Sequence, residues 1–226
     1  MFDRLLRLIT NEDLNKLKNT NVLLVGVGGV GGYALEALVR CGIENITIVD
    51  SDNVELSNLN RQIISLQSNI GKPKVEVAST RVKDINPNIN IATIKEFITK
   101  DNIDILFNNN YDYIIDACDT VTTKVLLIQE ANKRNINIIS CMGTGNRFDP
   151  SKVKITDVSK TNNDPLAKIM RKLLREINIK HQKVVFSDEL PIKTSDRTPG
   201  STSLVPSVAG IYAASYVIND ILQNKN

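Results

Sequence analysis

The stretch "NVLLVGVGGVGG", residues 21–32, carries the reading on which the fold depends. "NVLLVG" is a short apolar run ending in glycine, the pattern of a buried strand. The glycines at 26, 28 and 31 fit G-x-G-x-x-G, with Gly29 and Gly32 in addition. Gly26 suits a tight turn, Gly28 lets the backbone approach a phosphate, and Gly31 lets a helix pack close to the strand. From Val30 to Cys41 the residues Val30, Ala34, Ala37, Leu38 and Cys41 recur at helical spacing, and "NITIVD" (45–50) reads as a second buried strand. Strand, glycine turn, helix and strand make a βαβ unit, which demands a parallel sheet and a right-handed crossover. The amides at the helix N-terminus face an anion. Asp50, at the end of the second strand, is placed to accept hydrogen bonds from ribose hydroxyls.

The alternation continues beyond this unit. Residues 72–87 read as a helix stopped by Pro87, 89–94 and 111–117 as strands, 122–134 as a helix and 136–140 as a strand. Residues 20–145 therefore read as a Rossmann-like, doubly wound α/β core with a mostly parallel sheet. The remainder, 146–226, reads as an extension on the substrate and dimer side, the whole chain forming one domain. Within it 152–158 and 183–189 look like additional, antiparallel strands around a helix at 164–177. Residues 190–205 read as a mobile loop, and 207–222 as a small-residue helix.

Bulk properties fit an ordinary globular protein. The chain has 226 residues, 42% apolar and 23% charged, and a formal net charge of +3, which permits a polyanionic partner without demanding one. No apolar run of membrane-spanning length and no signal-peptide core stands out, so a cytoplasmic protein without stable membrane insertion is expected. Cys41, Cys118 and Cys141 are far apart and form no C-x-x-C pair, which argues against a zinc ribbon and leaves buried, inert thiols as the expectation.

The segment after Asp50 departs from a simple dinucleotide site. It runs "SDNVELSNLNRQIISLQSNIGKPKVEVA". Asp50, Asp52, Val54, Ser57, Asn58, Arg61, Gln62, Gly71 and Lys74 match a D-x-D-x-V-x-x-S-N-x-x-R-Q block followed by G-x-x-K. "DACDT" (116–120) matches a D-x-x-D strand end. These residues resemble the ThiF/MoeB type of ubiquitin-activating-enzyme-like adenylating proteins. The chemistry agrees. Cleaving ATP between its α- and β-phosphates needs positive charge on the polyphosphate and a metal. Arg61 offers a bidentate fork and Lys74 a mobile point charge. Asp119, at a strand's C-terminal end, is suited to hold Mg²⁺ between phosphate oxygens.

The resemblance implies ATP and Mg²⁺, with Gly26, Gly28, Gly29, Gly31, Asp50, Asp52 and Asn58 on the nucleotide and Arg61, Lys74 and Asp119 at the chemistry. It also implies a homodimer in which an arginine near the N-terminus reaches the partner's ATP. Arg4 is preferred over Arg7. The second half, from "SCMGTGNRFDPSKVKITDVSKTNNDPLAKIMRKLLREI" to "TPGSTSLVPSVAGIYAASYVI", resembles the tRNA threonylcarbamoyladenosine dehydratase branch of this superfamily. That branch adenylates the threonyl carboxylate of the modified adenosine, and the neighbouring carbamoyl group then closes a ring. Intramolecular attack has a high effective molarity, so a catalytic cysteine is not required.

A tRNA substrate calls for basic surface. Lys168, Arg171, Lys172 and Arg175 stripe the polar face of 164–177, and Lys180, His181 and Lys183 extend it, either as a tRNA contact or as an ordinary solvated face. The competing readings are activation of a ubiquitin-like sulfur-carrier protein, with a sulfur-relay partner, an NAD-dependent oxidoreductase, and a nucleotide-binding scaffold without turnover.

Overall fold

The computed structural model describes residues 1–195 and 198–223. Its centre is a seven-stranded sheet in the order β3-β2-β1-β4-β5-β7-β6. The strands are β1 (Asn21–Val25), β2 (Asn45–Val49), β3 (Asn90–Ile94), β4 (Tyr113–Asp116), β5 (Asn137–Cys141), β6 (Val153–Asp157) and β7 (Lys183–Ser187). Every neighbouring pair is parallel except β6–β7.

Three register pairs fix the middle of the sheet: Val22 opposite Ile46, Val25 opposite Asp116, and Asp116 opposite Ser140. The central strands are buried on both faces, which is why they read as continuous Val/Ile/Leu runs rather than as alternating patterns. Side-chain alternation divides them between two cores. Val22, Leu24, Ile46, Ile48 and Ile115 pack with helices α2 (Gly31–Arg40), α3 (Lys74–Ile85) and α6 (Leu204–Gln223). Leu23, Val25, Val49, Ile114 and Ile138 pack with α4 (Val121–Arg134) and α5 (Pro165–Glu176).

A short 3-10 turn, Leu5–Arg7, precedes α1 (Asn11–Asn19). Thr10 opens α1 with a reciprocal capping box. Its hydroxyl accepts from the Asp13 amide, and the Asp13 carboxylate accepts from the Thr10 amide. Asp164 caps α5, accepting from the Ala167 amide, with Pro165 in the first turn. Asn135, at φ +55°, ends α4 in the left-handed conformation.

The two strands after residue 150 pair antiparallel with each other, as expected, and β7 in addition joins the parallel sheet beside β5. α6 is longer than expected. With 20 residues it has the length and composition of a membrane-crossing helix, although no such run was expected from sequence. In this fold it is a core element lying against α2. A Cβ on Gly210 would stand 2.2 Å from the Val30 carbonyl oxygen.

The described residues between 190 and 203 carry no regular structure, and α6 begins at Leu204. Asp196 and Arg197, which belong to the loop expected there, lie outside the described residues.

Candidate functional site

The C-terminal ends of the parallel strands open into a cavity of about 400 Å³. This is where open α/β sheets place their ligands. The strand order fixes what lies along it. The Glu96–Ile98 segment after β3 is at one end, then Asp50 after β2, the glycine turn after β1, Asp119 after β4 and Thr144 after β5.

The glycine turn is shaped by two steric demands. Gly26 sits at φ +90°, and a Cβ there would stand 2.7 Å from the Ala117 backbone. A Cβ on Gly31 would stand 1.8 Å from the Gly26 carbonyl oxygen, so α2 can start this close to β1 only with glycine. Gly28 and Gly29 border the cavity, where a Cβ would meet no protein atom closer than 3.5 Å. Their backbone is open to a ligand rather than demanded by the fold.

Asp50 braces this turn. One carboxylate oxygen accepts from the Val27 amide at 2.7 Å and the other from the Asp52 amide at 2.9 Å. Asp52 in turn holds Lys74. Their Nζ–Oδ2 distance is 2.7 Å, with Lys74 buried at 5% exposure and the Asp52 side chain largely open. Asn58 is buried. Its Oδ1 accepts from the Glu55 amide and closes the 3-10 turn Leu56–Asn58 that sets up Arg61. The Arg61 guanidinium donates to the Ser57 carbonyl at 2.6 Å and to Asn60 Oδ1 at 3.0 Å. Gly26 sits at the base of this turn, and Gly28, Gly29, Asp50, Asp52, Asn58, Arg61, Lys74 and Asp119 all border the cavity. Of the residues expected on the nucleotide, Gly31 does not border the cavity and instead lets α2 start against the glycine turn; the others are brought together there.

Asp119 is exposed, with the Thr120 hydroxyl donating to it at 3.4 Å. Among the described residues no group of three or more His, Cys, Asp and Glu side chains forms a metal cage. Asp119 could supply a carboxylate to Mg²⁺, which binds through one or two carboxylates together with substrate phosphates. Arg4 and Arg7 are exposed and do not border this chain's own cavity.

The basic stripe is partly dismantled. Arg171 donates to the Thr161 carbonyl and hydroxyl. Lys168, Lys172 and Arg175 remain on the surface, away from the cavity. His181 is exposed and pairs with Asp157 at 3.3 Å.

The cysteines are not poised as nucleophiles. Burial pushes the Cys141 thiol up to about 12. Burial, with the Asp116 charge beside it, holds the Cys118 thiol well above its ordinary range.

Sequence reasoning missed the network behind Asp119. Asp116 and Lys124 are both fully buried. Lys124 Nζ donates to both Asp116 oxygens and to the Cys141 carbonyl at 2.7 Å. Asp116 also accepts from the Cys118 amide and thiol. Burial alone would lower the Lys124 pKa, but Asp116 outweighs it and keeps the ammonium charged. The signal was present in "DACDT…K": an acid on an otherwise apolar strand, eight residues before a lysine on the inner face of the next helix.

The ThiF family profile matches residues 2–225. The chain belongs to the ThiF family. Among curated relatives of this ThiF-family chain, the tRNA threonylcarbamoyladenosine dehydratase of Bacillus subtilis is 41% identical, over 96% of this chain and 92% of the relative. The protein of the same name from Haemophilus influenzae is 36% identical over 97% and 92%. The crystal structure of Escherichia coli tRNA N6-threonylcarbamoyladenosine dehydratase in complex with ATP is similar with a TM-score of 0.92. It is 33% identical, covering 98% of this chain and 93% of that one.

Proposed function

We propose that this protein dehydrates N6-threonylcarbamoyladenosine in tRNA at the expense of ATP. The observation that carries the reading is the likeness, over nearly the whole of both chains, to a dehydratase whose structure was solved with ATP. The glycine turn, Arg61 and Lys74 gathered on one cavity support it.

The base lies towards Glu96–Ile98, the ribose at Asp50 and the polyphosphate over Gly28 and Gly29. Arg61 and Lys74 carry the charge that builds up on the departing pyrophosphate. Both cations are held by weak or exchangeable partners, a carbonyl, an amide and an exposed carboxylate, which phosphate oxygens can replace. Asp119 would hold Mg²⁺, which would supply further neutralisation of the phosphate charge. Asn58 keeps the Arg61 turn in shape from its buried position.

The threonyl carboxylate attacks the α-phosphorus and pyrophosphate leaves, giving a mixed anhydride with AMP. The carbamoyl group then attacks the acyl carbon, AMP leaves with the carboxylate oxygen, and a proton passes to solvent. The nucleoside has lost one water overall. Ring closure is intramolecular, which fits a site whose thiols are held protonated.

The finer reading adds a two-fold dimer in which Arg4 crosses to the partner's ATP, tRNA phosphates on Lys168, Lys172 and Arg175, and a cytoplasmic setting. It also extends to a sulfur-relay protein as a partner of the assembly.

The test is AMP formation from ATP and Mg²⁺ with threonylcarbamoylated tRNA against unmodified tRNA. AMP dependent on the modification supports the reading. AMP formed only with a ubiquitin-like carrier protein overturns it.

A further inference from the structure

The cavity has two ends, and the strand order separates them. The base end lies beyond β2 and β3. The far end lies beyond β4 and β5, where Asp119, Thr144 and Ser201 border it. A carboxylate brought by a large substrate has to reach the α-phosphate from this far end. Its wall takes residues from two segments distant in sequence, Thr144 from the turn after β5 and Ser201 from residues 199–201.

One side chain joins them. Asn146 sits at φ +57°, and its amide donates to the Gly200 carbonyl at 2.7 Å. Its Oδ1 accepts from the Gly200 amide at 2.6 Å, so the two residues are bonded in both directions. Its carbonyl accepts from the Ile192 amide at 2.7 Å. Asn146 therefore holds both arms of the stretch that runs between Ile192 and Gly200.

One further contact shows how closely the segments meet, and another ties the second segment to the Arg61 turn. A Cβ on Gly145 would stand 2.8 Å from the Pro199 Cβ. Asn60 Nδ2 donates to the Ser201 carbonyl at 2.9 Å while its own Oδ1 accepts from Arg61. The turn itself is held from below. The buried Arg147 guanidinium donates to the carbonyls of Gly143 and Asn163, and its Nε donates to that of Glu189. Asp164 accepts from the Gly143 amide.

We propose that Asn146 is a positioning residue that seats Pro199–Ser201 as the acceptor wall of the site. It acts through Gly200, and it governs how the tRNA-borne carboxylate meets the nucleotide rather than how the nucleotide binds. This rests on the tRNA-directed reading above. Left-handed backbone explains why Asn stands there, since Asn tolerates positive φ and also supplies an acceptor oxygen.

The experiment is steady-state kinetics with threonylcarbamoylated tRNA, paired with calorimetry of ATP binding, on Asn146→Gly and Asn146→Asp. Glycine adopts the same positive φ, which permits both backbone hydrogen bonds, and removes the side chain with its Oδ1 acceptor. Losing that bond is expected to lower kcat/KM for the modified tRNA roughly three- to tenfold, with ATP affinity unchanged. The Asn146→Asp variant, which keeps an acceptor oxygen, is expected to retain most of the tRNA efficiency. Wild-type tRNA kinetics in Asn146→Gly would overturn the proposal, as would an equal loss in ATP affinity. Should Asn146→Gly not fold, Gly145→Ala decides by the same split, since its methyl pushes Pro199 off the turn. If the wild-type protein turns over no modified tRNA in the same assay, the inference falls together with the reading beneath it.

Discussion

Lys124 Nζ stands 3.1 Å from each carboxylate oxygen of Asp116, and neither side chain reaches solvent. The pair joins the ends of β4 and β5 to the first turn of α4, at the base of the loop that presents Asp119. Removing one member leaves an uncompensated buried charge. Lys124→Met is expected to lower the unfolding free energy by about 3–5 kcal/mol, and Lys124→Met with Asp116→Leu to recover most of it. Urea unfolding of the two variants measures this. A single variant as stable as the wild type would show that the pair is not what holds these strand ends.

Lys74 and Arg61 differ from Lys124 because their partners are replaceable. Asp52 is itself exposed, so Lys74→Ala strands no buried charge. Lys74→Ala and Arg61→Ala are each expected to keep the folded state and to slow pyrophosphate release roughly 10²- to 10³-fold. Thermal melts alongside a pyrophosphate assay separate the two effects. A slow variant that is also unfolded would remove the argument for a direct role.

The glycine turn yields a contrast between neighbours. Gly31→Ala places a methyl 1.8 Å from the Gly26 carbonyl oxygen and should destabilise the fold by about 1–3 kcal/mol or more. Gly28→Ala meets only the Gln62 side chain, at 3.7 Å, so it should fold normally and lose ATP affinity instead. Melting curves with and without ATP distinguish them. Equal destabilisation by both would mean that Gly28 serves the turn and not the ligand.

Glu36 gives the fold an acid-sensitive link between α2 and α3. Its burial would raise its pKa, but Arg81, at 2.7 Å, and Arg40 outweigh that and hold it below its ordinary value of 4.5. An acid with a depressed folded-state pKa contributes stability above its ordinary value and loses it as pH falls through the folded value. Glu36→Gln should therefore lower Tm near neutrality and narrow its gap from the wild type below about pH 4.5. A constant gap across that range would assign the effect to packing.

The fold and the clustering of the proposed nucleotide residues were legible because both rest on local patterns. Strand, glycine turn, helix and acid lie within thirty residues of one another, so "NVLLVGVGG", Asp50 and the Arg61–Lys74 block could be placed on their elements directly. What escaped depends on distant pairing. The insertion of β7 between β5 and β6 is a long-range pairing that no local period records. Lys124 was hidden because a lysine inside a helix reads as a solvated charge until Asp116 is found facing it. Arg171 was counted with the stripe because its bond to Thr161 spans a loop. Asn146 showed nothing in sequence beyond being one Asn among many.

The most direct test of the central claim is mass spectrometry of nucleosides from threonylcarbamoylated tRNA incubated with the protein, ATP and Mg²⁺. The modified adenosine should lose one water, AMP should appear with it, and Asp119→Ala should abolish both. An unchanged nucleoside beside active ATP–pyrophosphate exchange on a ubiquitin-like carrier protein would contradict it.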